Sequence, residues 1–250
     1  MIIIFWHICE LSNWKNVVNE QFDILKTSKL LEECDSIQIG YLGNIDNIQW
    51  LLNYSYKIKL LNTCIEKCHY ERLTINSMVD FISNMTDNIK ILYIHSKGVT
   101  RAPHDNSINL WREHMQYFLI TKYKEILPYL DEYDAVGCTV INNGNRSQKI
   151  DNETHCLHFS GNFWWSRSEY IKKMKKLSNT PNNMKRNNTF WLCERWILHR
   201  APDCRILEVY TTGRPHCYGV SRRELGDYTK KWNPREVNYN SGKVTYKNLS

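Results

Sequence analysis

Nowhere in the 250 residues is there an apolar run long enough to span a bilayer. The opening Ile2-Ile3-Ile4-Phe5-Trp6 gives way to polar residues from His7, a run short for a secretory leader, so a buried first strand is the expectation. A soluble protein of the cytoplasm is the expectation. Paired Cys-x-x-Cys motifs are also missing. The nine cysteines, at 9, 34, 64, 68, 138, 156, 193, 204 and 217, are odd in number and read as reduced thiols. Cys64 and Cys68 with His69 have a metal-like spacing but lack the second pair that a zinc finger needs. No block of like charge stands out: 33 Lys and Arg against 26 Asp and Glu give +7, scattered along the chain. That balance favours an anionic partner without choosing among a sugar nucleotide, a nucleic acid or a membrane surface. With no repeat, no evident linker, 42% hydrophobic and 24% charged residues, global disorder is excluded and one large domain is the simplest organisation.

What the chain does contain is short apolar runs alternating with helix-like stretches. Ile2 to Ile8 and Ser36 to Leu42 read as strands, and between them Trp14, Val17, Val18, Phe22 and Leu25 recur at helical spacing behind a cap at Asn13 or Ser12. The β-α-β order begins a parallel sheet. A short helix at Asn47 to Leu52, a strand at Lys57 to Leu61, a helix at Thr74 to Met85 and a strand at Ile91 to Ile94 continue it. Beyond these, Ile108 to Leu130 is a long helix or a broken pair, and Tyr133 to Ile141 and Ile206 to Tyr210 are further strands. The prediction is an α/β domain over residues 1–220, with a mostly parallel central sheet flanked by helices. A polar, basic, loosely packed tail is expected over 221–250.

In open α/β sheets, ligands bind beyond the carboxyl ends of the strands. There the fourth strand carries His95, Ser96, Lys97 and Gly98, the first carries His7, Cys9 and Glu10, and the third leads to His69, Tyr70, Glu71 and Arg72. The loop from Thr100 to Ser107, with Arg101, His104 and Asp105, is positioned to move over a ligand. A second unusual stretch is His158-Phe159-Ser160-Gly161-Asn162-Phe163-Trp164-Trp165. Consecutive aromatics beside Gly and Asn are unusual for plain core, and Asn162 has both a donor and an acceptor. Further on, Glu194 lies in Trp191-Leu192-Cys193-Glu194-Arg195-Trp196, where aromatic surroundings would desolvate it and keep it a usable base.

Together these segments resemble GT-A-type glycosyltransferases over roughly residues 1 to 220. More closely, the pairing of Tyr93-Ile94-His95-Ser96-Lys97-Gly98 with His158-Phe159-Ser160-Gly161-Asn162-Phe163-Trp164-Trp165 is similar to uncharacterised viral and microbial proteins classed as glycosyltransferase-like. The resemblance implies a GT-A-like (Rossmann-like) fold, a nucleotide-sugar donor, a glycan or glycoprotein acceptor, and no nucleic acid. It implies donor binding by His7, Glu71, His95, Ser96, Lys97 and Gly98, and sugar or acceptor binding by Ser160, Gly161, Asn162, Trp164 and Trp165. Glu194 would be the catalytic base, and a late His216 is a possible metal ligand. Such enzymes hold Mn²⁺ or Mg²⁺ on an Asp-x-Asp, which here is His95-Ser96-Lys97. An ammonium in that position repels a cation and can itself stabilise a leaving diphosphate, so weak metal dependence is expected. As an exposed strand-end residue, Lys97 should be replaceable by Ala with slower transfer and an intact fold. Glu71, Asp105 and Asp134 are the fallback metal ligands. The alternative is a catalytically inactive carbohydrate- or nucleotide-sugar-binding protein.

Overall fold

Along β1 (Ile2–Cys9) the apolar side chains alternate between two cores: Ile4, Trp6 and Ile8 enter one, Ile3 and Phe5 the other. This period of two is why the run is apolar without interruption, as in a strand covered on both faces. The computed structural model describes residues 1–100, 106–142, 157–177, 192–199, 203–211, 227–240 and 243–249. Its strands after β1 are β2 (Ser36–Leu42), β3 (Ile58–Cys64), β4 (Lys90–His95), β5 (Ala135–Cys138), β6 (Val140–Asn142), β7 (Leu157–Phe159), β8 (Trp164–Arg167), β9 (Ile206–Tyr210), β10 (Arg235–Asn240) and β11 (Lys243–Asn248). The helices are α1 (Trp14–Thr27), α2 (Leu30–Glu33), α3 (Gln49–Leu52), α4 (Arg72–Ser83), α5 (Asn106–Gln116), α6 (Tyr123–Ile126) and α7 (Ser168–Ile171).

A nine-stranded sheet runs β11-β10-β9-β5-β8-β4-β1-β2-β3, and β6 and β7 pair separately. β3, β2, β1 and β4 are mutually parallel, as are β5 and β9; β8 and β10 run against them. The architecture is therefore the Rossmann-like α/β arrangement expected, with a large, mostly parallel sheet. α1 and the chain from α5 to α6 pack on the face that holds Trp6 and Ile94, while α4 and α7 pack on the face of Phe5 and Tyr93. No helix among the described residues is long and apolar enough to cross a membrane.

The structure refines or changes the local expectations in four places. Asn13 makes no side-chain cap; the first turn of α1 is closed by the Val17 N–H donating to the Asn13 carbonyl, and Ser12 has φ +47°. Of the two readings open for 108–130, a long helix or a broken pair, the structure has the broken one, with a π turn at Tyr117–Thr121 and a 3₁₀ turn at Leu127–Asp131. Thr139, at φ +48°, divides the strand expected over 133–141, so that β5 stays in the large sheet and β6 leaves it. The polar tail is not loosely packed over its described residues: β10 pairs with β9, and β11 with β10. Its anchor is the buried Glu208, whose carboxylate accepts from Arg235 Nε at 3.0 Å and from the Val140 N–H at 2.6 Å. A charge buried this deeply needs such partners, and the basic residue that looked like tail solvation supplies one.

Candidate functional site

Parallel pairing sets His7 opposite His95, so the carboxyl ends of β1 and β4 form one edge. Ser96 fastens them, its N–H donating to the His7 carbonyl at 2.9 Å and its Oγ accepting from the Cys9 N–H at 3.0 Å. Because β8 is antiparallel to β4, with Trp164 opposite Tyr93, the turn before β8 reaches the same edge. That turn carries Gly161 (φ +88°) and Asn162 (φ +57°), consecutive left-handed residues. Gly is required at the first, since a Cβ there would lie 2.4 Å from Met115 Sδ. Gly161→Ala is expected to lower stability by on the order of 3 kcal/mol, through backbone strain and overpacking together. A urea midpoint equal to the wild type would show that the turn and Met115 relax freely.

Glu71, at the head of α4, is the centre of the cluster. Its Oε2 accepts from Tyr93 Oη at 2.8 Å and from Asn162 Nδ2 at 2.7 Å, and its Oε1 lies 3.7 Å from His95 Nδ1. Burial pushes the Glu71 carboxyl above its ordinary value, against the pull of His7, Tyr93 and Lys97. His95 Nε2 sits 2.8 Å from the Gly161 carbonyl, which can only accept, so Nε2 carries the proton and Nδ1 faces Glu71 with a lone pair. Burial and then Lys97 lower His95 to about 3, and burial lowers His7 to about 4. Both imidazoles are neutral at pH 7, and the positive charge of this turn belongs to Lys97.

Lys97 is buried, at 8% exposure, which corrects its expected exposed position. Its Nζ stands 3.5 Å from Glu194 Oε1 and 4.3 Å from the centre of the Trp111 ring. Glu194 lies in the helical turn over 192–195 and is also buried. The Lys97 turn is held from both sides. Gln21 Nε2 donates to the His95 carbonyl at 2.8 Å, and Arg112 Nη1 donates to the Lys97 carbonyl at 3.1 Å. Arg112 is itself clamped by both carboxylate oxygens of Glu20. Gly98, at φ +98°, turns the chain away beneath Ile108.

His7, Glu71, His95, Ser96, Lys97, Gly161 and Asn162 thus meet at one edge, with Glu194 beside Lys97. Ser160 is buried there, and its Oγ has no partner among the described residues. Trp164 and Trp165 take other positions, one on each face of β8. Trp164 stacks on Tyr93 at 4.9 Å and donates to Asn162 Oδ1, while Trp165 donates to the Leu119 carbonyl at 2.7 Å. Both rings are buried in core, so neither presents a face to a sugar. Asp134 lies at the amino end of β5, taken up by Arg167 and the Arg205 N–H. His216, Asp105 and most of the loop from Thr100 to Ser107 lie outside the described residues. The sequence reading assigns no separate role to Tyr93, Gln21, Glu20 or Arg112, whose contacts here join segments far apart in the chain.

A family model described as a domain of unknown function (DUF8361) matches residues 7–225. The chain belongs to this family. A comparison with curated proteins finds no match. Among solved structures, the chain is similar to 4-diphosphocytidyl-2C-methyl-D-erythritol synthase from Anaerococcus prevotii, with 14% identity and a TM-score of 0.44 over 84% of this chain and 88% of that one. It is also similar to HddC from Yersinia pseudotuberculosis, with 10% identity and a TM-score of 0.39 over 74% and 87% of the two chains. The DUF8361 match spans every residue of the edge cluster, from His7 to Glu194.

The donor set at the turn does not fit the Mg²⁺ or Mn²⁺ that an Asp-x-Asp would hold. Lys97 is cationic, the Nε2 of His95 is committed to Gly161, and Glu71 and Glu194 already face Tyr93, Asn162 and Lys97. Hard cations take several free oxygen ligands, which this turn does not offer among the described residues.

Proposed function

We propose that this protein is a glycosyltransferase that moves a sugar from a nucleotide-sugar donor to a hydroxyl of a glycan or glycoprotein acceptor. The observation that carries the reading is the buried Lys97 and Glu194 side by side at the carboxyl edge of β4, one residue pair offering both a cation and a carboxylate. Transfer breaks the bond between the sugar's anomeric carbon and the diphosphate, and joins that carbon to the acceptor oxygen. The leaving diphosphate gains negative charge, which Lys97 is placed to stabilise without a metal. The acceptor hydroxyl gives up a proton, which Glu194 takes once an anionic donor has drawn Lys97 away from it. Asn162 is buried with its Nδ2 given to Glu71 and its Oδ1 accepting from Trp164, so in this reading it shapes the turn beside the pair and does not itself face the sugar's hydroxyls.

A second reading has its own support. Both carboxylates are engaged, Glu194 by Lys97 and Glu71 by Tyr93 and Asn162, as they would be in a binding protein that never needs a free base. Calorimetry against a panel of sugar nucleotides, with and without Mn²⁺, tests the donor; if none binds, the transferase reading goes. Glu194→Gln then separates the two readings. A transferase should lose about 10² to 10⁴-fold in turnover while holding its donor within a few-fold. Transfer that survives the substitution would place the base elsewhere, and donor binding with no detectable wild-type transfer would leave the binding protein.

A further inference from the structure

Beyond the end of β3 stands a group of donors that the proposed transfer does not use. Cys64 Sγ, a carboxylate oxygen of Glu66 and an imidazole nitrogen of His69 all lie within 4.8 Å of one another. Cys68 Sγ is 3.9 Å from the same Glu66 carboxylate. Two thiols spaced as Cys-x₃-Cys, an imidazole and a carboxylate form a mixed sulfur, nitrogen and oxygen set, which suits Zn²⁺ and not a hard alkaline-earth cation. The group is half-exposed to exposed, so an ion can enter from solvent without opening the core.

We propose that Cys64, Glu66, Cys68 and His69 bind one zinc ion. In a tetrahedral site with metal–ligand bonds of about 2.0 to 2.3 Å, donors stand roughly 3.3 to 3.8 Å apart. Cys64, Glu66 and His69 already lie within 4.8 Å of one another, and binding requires their side chains, and Cys68 beside Glu66, to rotate inward to that spacing. Both thiols bind as thiolates, so two S–H bonds break and two protons pass to the buffer, and affinity rises with pH. The total of two thiolates and one carboxylate against Zn²⁺ leaves one negative charge beside Arg72 and Lys67.

His69 must change partners to join. Arg72 Nη2 lies 2.8 Å from His69 Nδ1, and a guanidinium only donates, so Nδ1 is the acceptor and Nε2, 3.4 Å from Glu66, carries the proton. When Nε2 ligates zinc, that proton sits on Nδ1 and Arg72 turns away. Arg72 and Glu71 are the first residues of the segment that enters the edge cluster, so the ion would fix the loop that delivers Glu71.

The site stands independently of the proposed transfer, and its test needs no substrate. Titration of the reduced, metal-free full chain with Co²⁺ should give one equivalent of tetrahedral ligand-field bands with thiolate-to-cobalt charge transfer, both abolished by added Zn²⁺. Cys64→Ser and His69→Ala should each weaken Co²⁺ binding at least about tenfold, with an unchanged circular dichroism spectrum as the check on folding. An absent charge-transfer band overturns the proposal. So does undiminished binding in either variant, which would assign the ion to other thiols.

Discussion

Lys97→Met should lower the stability of this protein by about 3 kcal/mol, although the change adds apolar surface to an apolar site. The reason lies in what remains. Glu194 keeps its carboxylate in a position where its side chain is 6% exposed, and its ammonium partner, itself 10% exposed, is gone. Removing one member of a buried pair strands the other, whereas replacing both by neutral groups of similar shape is often close to neutral. The double variant Lys97→Met/Glu194→Gln should therefore recover most of the loss. Urea denaturation of the wild type, the two single variants and the double variant gives the coupling directly. Losses that simply add would show that Lys97 and Glu194 are solvated separately in solution. The same variants bear on donor binding: Lys97→Met should lose the diphosphate's affinity whether or not Glu194 is neutralised, which separates the stability effect from the binding effect.

This reverses the expectation for Lys97 drawn from the sequence, and the cause is instructive. A Lys following a buried strand is ordinarily solvated, and nothing within ten residues of Lys97 announces Trp111 above it or Glu194 beside it. Those contacts depend on where α5 and the turn at 192–195 come to rest, which is long-range packing. The parts that were legible are those written in local period. Short, largely apolar runs mark β1, β4 and β9, alternation marks β2, and the β-α-β order accounts for the parallel pairing of β1, β2 and β4 and so for the shared edge of His7 and His95. β8 was hidden because four residues are too few for a period, and its two adjacent tryptophans looked like an exposed aromatic feature when they are alternate faces of one strand. Arg112 and Glu20, 92 residues apart, could not be paired from sequence at all.

A second large effect is expected in mild acid. On acidification below pH 6.5, the ordinary histidine value, the unfolded chain takes up protons at positions 7 and 95 that the folded chain refuses until about pH 4 and about pH 3 respectively. For a group whose folded value is depressed in this way, stability is full above the unfolded value and falls as the pH drops, by up to about 1.4 kcal/mol per unit for each histidine. Burial is the main cause at both sites. At His95 the Lys97 charge adds to it while Gly161 and Glu194 oppose, and at His7 Glu71 opposes and His95 adds. Glu71 has the opposite sign: its raised value means that its proton stabilises the fold in acid and that this contribution is lost as the pH rises. Glu71 therefore softens the decline at the acid end without removing it. His95→Gln keeps an N–H for the Gly161 carbonyl and cannot titrate, so its denaturation free energy measured between pH 7 and 5 should fall less steeply than that of the wild type by close to one histidine's share. Equal slopes in the two proteins would mean that His95 takes up its proton in the folded state, and the neutral imidazole facing Glu71 would have to be abandoned.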